Sequence, residues 1–317
     1  MRSLVTGGAG FIGSTLVDAL VERGDEVLVV DDLSHGTVTN LTTALDRGAR
    51  LAEIDVRDAS AVSAAFERFR PELIFHLAAQ IDVRVSMDRP ALDAGVNVLG
   101  SINVFDAAHA SGARRVVNTS TGGAIYGEAD LVPTPETVPP DPLSAYGLSK
   151  HTVERYANWF RTSHGLDVVT VRYGNVYGPR QDPAGDAGVI AIFCERALSG
   201  ATPLVHGDGL QTRDFVFVGD IAAANLAAAD AAELPHREYN IGTGIEVSVL
   251  ELVDAVGRAA GRGPGEFRAE LAPARHGEVR RSCLDVSRAR CELRLAPSLP
   301  LAEGIERTLA WLRTTVS

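Results

Sequence analysis

The stretch Leu4-Val5-Thr6-Gly7-Gly8-Ala9-Gly10-Phe11-Ile12-Gly13 constrains this chain more than any other. A short apolar strand runs into a turn with glycines at 7, 10 and 13, and a helix-patterned segment follows with Leu16, Val17 and Leu20 on one face. One glycine permits the tight turn, one lets a phosphate approach the backbone, and one lets the helix lie close on the strand. The start of such a helix offers unpaired N–H groups and the positive end of its dipole to a pyrophosphate. Glycine turns are common, so their surroundings decide. Here a second strand, Glu26 to Val30, ends in Asp31 about 20 residues beyond the turn. A carboxylate there accepts both hydroxyls of an adenosine ribose and repels a 2′-phosphate, which predicts a bound dinucleotide, NAD ahead of NADP. The alternative is an ordinary βαβ crossover with a surface aspartate.

Up to about residue 175 apolar strand patterns alternate with helical ones, the signature of a parallel sheet covered on both faces. Strands are expected at Ala49 to Ile54, Leu73 to Leu77, Arg115 to Thr119 and Val168 to Arg172. One helix is expected over about 91–111, with Val96, Leu99, Ile102, Phe105 and Ala108 on one stripe. Right-handed crossovers make all the strands end on one side, so ligand chemistry belongs at Gly7 to Gly13, Asp31, Asp55, Ala78-Ala79 and Ser120 to Gly123. Five prolines between 128 and 144 exclude helix and central strand there, leaving a stiff surface connection. Ser144 stands where an N-cap would, Gly165 where the following helix would stop. Beyond 175 the pattern is irregular. It contains a helix at about 189–198, a strand pair, 203–206 with 214–218, a capping box at Ser248 and Glu251, and a last helix at about 301–314.

Composition narrows the function. The 317 residues carry a net charge of -11, which argues against nucleic acid or an anionic membrane as a partner. No apolar run approaches the roughly 20 residues that a membrane helix needs. The first core strand follows Met1 almost at once, so a signal peptide is not expected and the cytoplasm is the expected compartment. Three cysteines without metal-ligand spacing, and eight histidines without an i, i+4 pair beside a carboxylate, give no metal site.

Tyr146 and Lys150 stand at i and i+4 on the first turns of the helix after Ser144. A tyrosine titrates near 10, and bringing it to about 7 takes roughly 4 kcal/mol of differential stabilisation. The adjacent ammonium and a positively charged nicotinamide are expected to supply it. Such pairs arise by chance on many helices. With the glycine turn before it and Thr119-Ser120-Thr121 ending a strand, the pair becomes specific.

Together these motifs resemble the extended short-chain dehydrogenases/reductases, the NAD-dependent epimerase/dehydratase group, over nearly the whole length, and most nearly the nucleotide-sugar 4-epimerases within it. The matching segments are 6–13, 31–34, Asp55-Val56, 76–80, Asn97, 120–127, Tyr146 with Lys150, and 172–175. The resemblance implies an α/β fold: a Rossmann doubly wound parallel sheet over 1–175, and a smaller mixed α/β substrate lobe over 176–317 with some segments crossing back. It also implies a tightly held NAD that borrows a hydride and returns it, a UDP-sugar substrate, and a homodimer through the helices at about 91–111 and 145–163. Carried onto this chain, NAD is held by Gly7, Gly10, Phe11, Ile12, Asp31, Asp32, Ser34, Asp55, Val56, Leu77, Ala78, Ala79, Gln80, Asn97, Thr119, Tyr146, Lys150 and Tyr173. Catalysis falls to Tyr146, Lys150 and Thr121, with Ser120 as the alternative hydroxyl. The substrate falls to Thr121, Gly122, Tyr146, Asn175, Arg213, Arg275 and Ser282. Sugar 4,6-dehydratases of similar sequence carry an Asp-Glu pair where this chain has Gly122-Gly123, so dehydration is disfavoured. Which sugar enters (a hexose, an N-acetylhexosamine or a uronic acid) stays open, as does a net oxidoreductase or decarboxylase.

Overall fold

Alternation along the first strands sets the architecture. Val5, Val27 and Val29 belong to one buried cluster, while Leu4, Leu28 and Val30 belong to another, as side chains of period two must when a sheet is covered on both faces. The computed structural model describes residues 1–183, 188–263, 265–274 and 279–315. Its strands are β1 (Arg2–Thr6), β2 (Glu26–Asp31), β3 (Arg50–Glu53), β4 (Leu73–His76), β5 (Arg115–Thr121), β6 (Val168–Tyr173), β7 (Asn175–Tyr177), β8 (Leu204–His206), β9 (Thr212–Arg213), β10 (Phe215–Phe217), β11 (Glu238–Ile241), β12 (Val247–Ser248), β13 (Glu270–Ala272) and β14 (Arg281–Ser282).

Seven of them make one parallel sheet in the order β11-β6-β5-β4-β1-β2-β3. The helices Phe11–Glu22 and Val218–Asp230 cover one face through Leu16, Leu20, Ala224 and Ala228. Ala59–Phe69, Gly100–Ala110 and Ala145–His164 cover the other through Phe66, Phe105 and Phe160. Each buried leucine or phenylalanine among them contributes about 1.5–3 kcal/mol by leaving water. The order reverses between β1 and β4, and the crevice at that switch point is where a ligand of such a sheet sits.

Ser144 caps the helix Ala145–His164 by accepting from Gly147 N at 3.1 Å, and Gly165 ends it at φ 70°. The Ser248–Glu251 capping box forms as well. Other expectations fail. The helix Ala59–Phe69 is an element not expected above, although Val62, Ala65, Phe66 and Phe69 recur at helical spacing behind its cap, Asp58, which accepts from Ala61 N. The helix expected over 91–111 is three pieces: Pro90–Ala94, a π turn Gly95–Leu99, and Gly100–Ala110. The wide turn inserts a residue, which rotates the next turns by about 100°. Leu99 therefore leaves the buried stripe and is 51% exposed.

Around Phe193, Phe217, Val253 and Leu309 the helices Val189–Ser199, Val249–Ala259 and Leu301–Thr315 build a second core. The expected strand pair of 203–206 with 214–218 does not form. Gly207 and Gly209 both lie in the left-handed region and turn the chain away, so β8 pairs with β13 and β10 with β7. The proline-rich connection is more than surface. Its Thr134 is buried, donates to Cys283 O and accepts from Asp285 N, which pins the segment 283–285 beside the first lobe. Among the described residues no helix is long and apolar enough to cross a membrane.

Candidate active site

The glycine turn closes onto the end of β4. Gly7 has φ +69°, and a Cβ built on it would lie 2.6 Å from Ala78 N; one on Gly13 would overlap Gly7 O. Neither position tolerates a side chain. Gly10 differs: its Cβ would meet only Gly7 O, at 3.3 Å, and no side chain caps the helix it begins. The open face of the turn thus presents the helix start, with Phe11 and Ile12, to a phosphate. This cradle fits a dinucleotide diphosphate.

Asp31 is buried at the end of β2, and its two oxygens accept from Ala9 N and Leu33 N, each at 2.9 Å. Burial raises its pKa, and the two amides oppose that rise. The carboxylate therefore braces the glycine turn, and two of its roughly four acceptor sites are spoken for. Asp32 Oδ1 accepts from the amide and hydroxyl of Ser34. Asp55 is gripped by Arg57, whose guanidinium holds its carboxyl below the usual range, and Val56 packs where a Cβ on Gly100 would come within 2.6 Å of it.

Beyond β4, Leu77 N and Ala78 N donate to the backbone and side-chain oxygens of Thr6. Ala79 is half-buried beside them, and Gln80 N donates to Asn97 Oδ1 at 2.8 Å. His76 is buried between Thr6 Oγ1 and Ser101 Oγ, at 2.7 and 2.8 Å, and burial lowers its pKa to about 3.

Side chains alternate along β5, so Thr119 and Thr121 share a face that Ser120 does not. The Thr121 side chain lies close enough to the Tyr146 phenol to lower its pKa, and Lys150 Nζ donates to Thr119 O at 3.1 Å. Tyr173 meets Thr119 Oγ1 at 3.2 Å from the neighbouring strand. Ser120 lies buried on the opposite face, beside Glu154, which grips Arg172 through both carboxylate oxygens. The geometry thus brings Thr121, and not Ser120, to the phenol.

Burial pushes Tyr146 up to about 12; the neighbouring Thr121 hydroxyl lowers it and the charge of Asp93 raises it. The Lys150 ammonium is turned to the Thr119 carbonyl, and burial brings it down to about 8 against the opposing charges of Asp93 and Glu154. Spacing put both groups on one face of the helix.

At the substrate end, a Cβ on Gly123 would lie 3.6 Å from Asn175 Oδ1 and 4.0 Å from Thr121 Oγ1, so this glycine leaves room between them. A Cβ on Gly122 would instead strike Leu284 Cδ1 at 2.5 Å. Arg213 on β9 and Ser282 on β14 are register partners in the small sheet, and Asn175 N donates to the carbonyl of Asp214, the residue after Arg213. Arg275 lies outside the described residues. Sequence reasoning missed Asp214, whose buried carboxylate accepts from Thr243 N, Gly244 N and Leu284 N and so joins the small sheet to the wall behind Gly122. It also missed Asp93, fully buried beneath the catalytic helix. Nothing in their spacing marks either one.

The sequence profile of the NAD dependent epimerase/dehydratase family matches residues 3–242. A UDP-glucose 4-epimerase of Mycolicibacterium smegmatis is 46% identical over 314 residues, covering 99% of each chain. The crystal structure of a Thermotoga maritima UDP-glucose 4-epimerase with UDP-glucose superimposes with a TM-score of 0.95 at 42% identity, over 100% of each chain. That of a Thermus thermophilus UDP-glucose 4-epimerase in complex with NAD gives 0.91 at 42% identity, over 99% of each.

Proposed function

Because the chain belongs to the NAD dependent epimerase/dehydratase family, we propose that it is a nucleotide-sugar 4-epimerase, interconverting UDP-glucose and UDP-galactose through a transient 4-keto sugar. The observation that carries this reading is the junction at the end of β5. There the phenol of Tyr146 meets Thr121, Lys150 is anchored next to them, and glycines follow at 122 and 123.

Tyr146 takes the proton of the sugar 4-hydroxyl and later returns it. Thr121 holds that phenol in line and hydrogen-bonds the oxygen on which charge develops. Lys150, tied to Thr119, faces the ribose. When bound, NAD supplies the hydride acceptor and a positive charge beside the phenol. We assign its diphosphate to the Gly7–Gly13 turn with Phe11 and Ile12, its ribose to Asp31, Asp32 and Ser34, and its rings to Asp55, Val56, Leu77 to Gln80, Asn97 and Tyr173. Asn175, Arg213, Arg275 and Ser282, with Gly122 and Thr121, are assigned to the UDP-sugar. A glycine pair offers neither the acid nor the base that elimination needs, and Leu284 fills the space a side chain at 122 would take. This supports epimerisation without dehydration.

The division into a cofactor lobe over 1–175 and a sugar lobe over 176–317 is part of the same reading, and so is a cytoplasmic setting, which suits three unpaired cysteines. A homodimer is part of the same reading and suits an apolar surface left exposed among the described residues. Leu148, Tyr156 and Trp159 of the catalytic helix are 57, 37 and 48% exposed, beside Leu99. The function is tested by incubating purified protein with UDP-galactose and no added cofactor. UDP-glucose is expected at equilibrium, with NAD recovered from the denatured protein; protein that holds NAD but forms no UDP-glucose would refute this substrate. UDP-glucuronate and UDP-N-acetylglucosamine, assayed in parallel, separate the sugars.

A further inference from the structure

Asp93 ends the short helix Pro90–Ala94, and none of its surface reaches solvent. A buried carboxylate is costly unless donors surround it, and here three elements supply them. Gln80 Nε2, from the loop after β4, donates to Oδ1 at 3.0 Å, and Asn97 Nδ2, from the π turn, donates to the same oxygen at 3.0 Å. Ser149 Oγ, from the catalytic helix, donates to Oδ2. All three donors are neutral, so none of them brings a positive charge to the carboxylate. Ser149 lies three residues after Tyr146 and one before Lys150. The same anion is therefore a tether for the turn of helix that carries the reaction and a charge beneath it.

We propose that Asp93 is a positioning residue of this active site: it fixes the first turns of the catalytic helix through Ser149 and keeps Lys150 cationic by its buried negative charge. The proposal rests on the epimerase reading above. The other groups that act on the pair are Glu154 on the catalytic helix, itself bound to Arg172 of β6, and His76 at the end of β4, which burial keeps neutral. In the loop, Asp82 is engaged in capping the helix Val83–Asp88 through Arg84 N and Val85 N. Of the two carboxylates that support Lys150, Glu154 already has a cation of its own. Asp93 also opposes ionisation of Tyr146, so its removal lets both groups lose their protons at lower pH.

Asp93→Asn separates the two roles, because an amide still accepts from Gln80 and Asn97 and can donate to Ser149, but carries no charge. Wild-type protein that epimerises serves as the control that the reading itself holds. In the variant both limbs of the kcat–pH profile are expected to move to lower pH by about one pH unit. In protein without substrate, ionisation of the Tyr146 phenol, read as the ultraviolet difference from the same protein carrying Tyr146→Phe, is expected to move in the same direction. Ser149→Ala, which removes the tether and keeps the charge, is expected to lower kcat with the limbs in place. Limbs and phenol ionisation that stay put in a folded Asp93→Asn overturn the proposal. Should that variant fail to fold, Asp93→Glu keeps the charge, and its limbs are expected to stay within a few tenths of a unit. A shift as large as a full unit in Asp93→Glu would equally overturn it.

Discussion

The two edges of the cleft are built in opposite ways. The edge that carries Thr121, Tyr146 and Lys150 rests on β5, seven residues long between two parallel neighbours, and on a 20-residue helix capped at both ends. The edge that carries Arg213 and Ser282 rests on β9 and β14, two residues each and partly exposed, tied by Glu246 to Thr212 and Arg281 and flanked by the buried Asp214. Chemistry that must place a proton within tenths of an ångström needs the first kind of support. Recognition of a sugar tolerates, and even uses, the second.

Four experiments bear on this contrast. Tyr146→Phe is expected to cut kcat by about 10³-fold with NAD still bound and stability unchanged, since it removes only the proton acceptor; near-normal turnover would end the distinction. The second concerns rigidity on the catalytic side. His76 stays neutral down to about pH 3 when folded, against 6.5 when unfolded, so the unfolded chain binds more protons in that window. Stability is thus expected to fall as pH drops from 6.5 towards 3, with a slope approaching about 1.4 kcal/mol per pH unit. Denaturant midpoints of wild type and His76→Gln across that range should diverge in slope, and parallel curves would show that the burial of this ring is not felt.

Third, Gly122→Ala drives a methyl into Leu284 and is expected to cost about 1–3 kcal/mol of stability, recovered in part by Leu284→Ala in a double-mutant cycle. Fourth and smallest, Arg213→Ala is expected to raise KM about tenfold, about 1.4 kcal/mol, with kcat little changed. A loss confined to kcat would mean that the short-stranded edge takes part in the chemistry after all.

The contrast also explains what could be read beforehand. The places of the glycine turn, Asp31, Thr121 and the Tyr146–Lys150 pair in the fold are legible because each is set by neighbours a few residues away: a strand, a turn, a helix repeat. The small sheets are not. The partner of β8 is β13, far along the chain, and no alternation in 203–206 can name it. The π turn at Gly95–Leu99 hides because its sequence keeps an apolar rhythm that the extra residue quietly rotates. Asp93 and Asp214 hide because one acid among helix and strand residues looks like any solvent-facing charge, until the donors of three distant segments are seen closing on it.

One edge strand of the main sheet, β11, joins β6 only after the chain has passed through β7 to β10, which lie outside that sheet. A polypeptide emerging from the ribosome therefore exhibits an unpaired hydrophobic border until residue 241 is free, and a fragment cut near 175 would inherit that border for good. The coenzyme half is not a detachable module. Grafting it elsewhere would require carrying β11 and the helix Val218–Asp230 along with it.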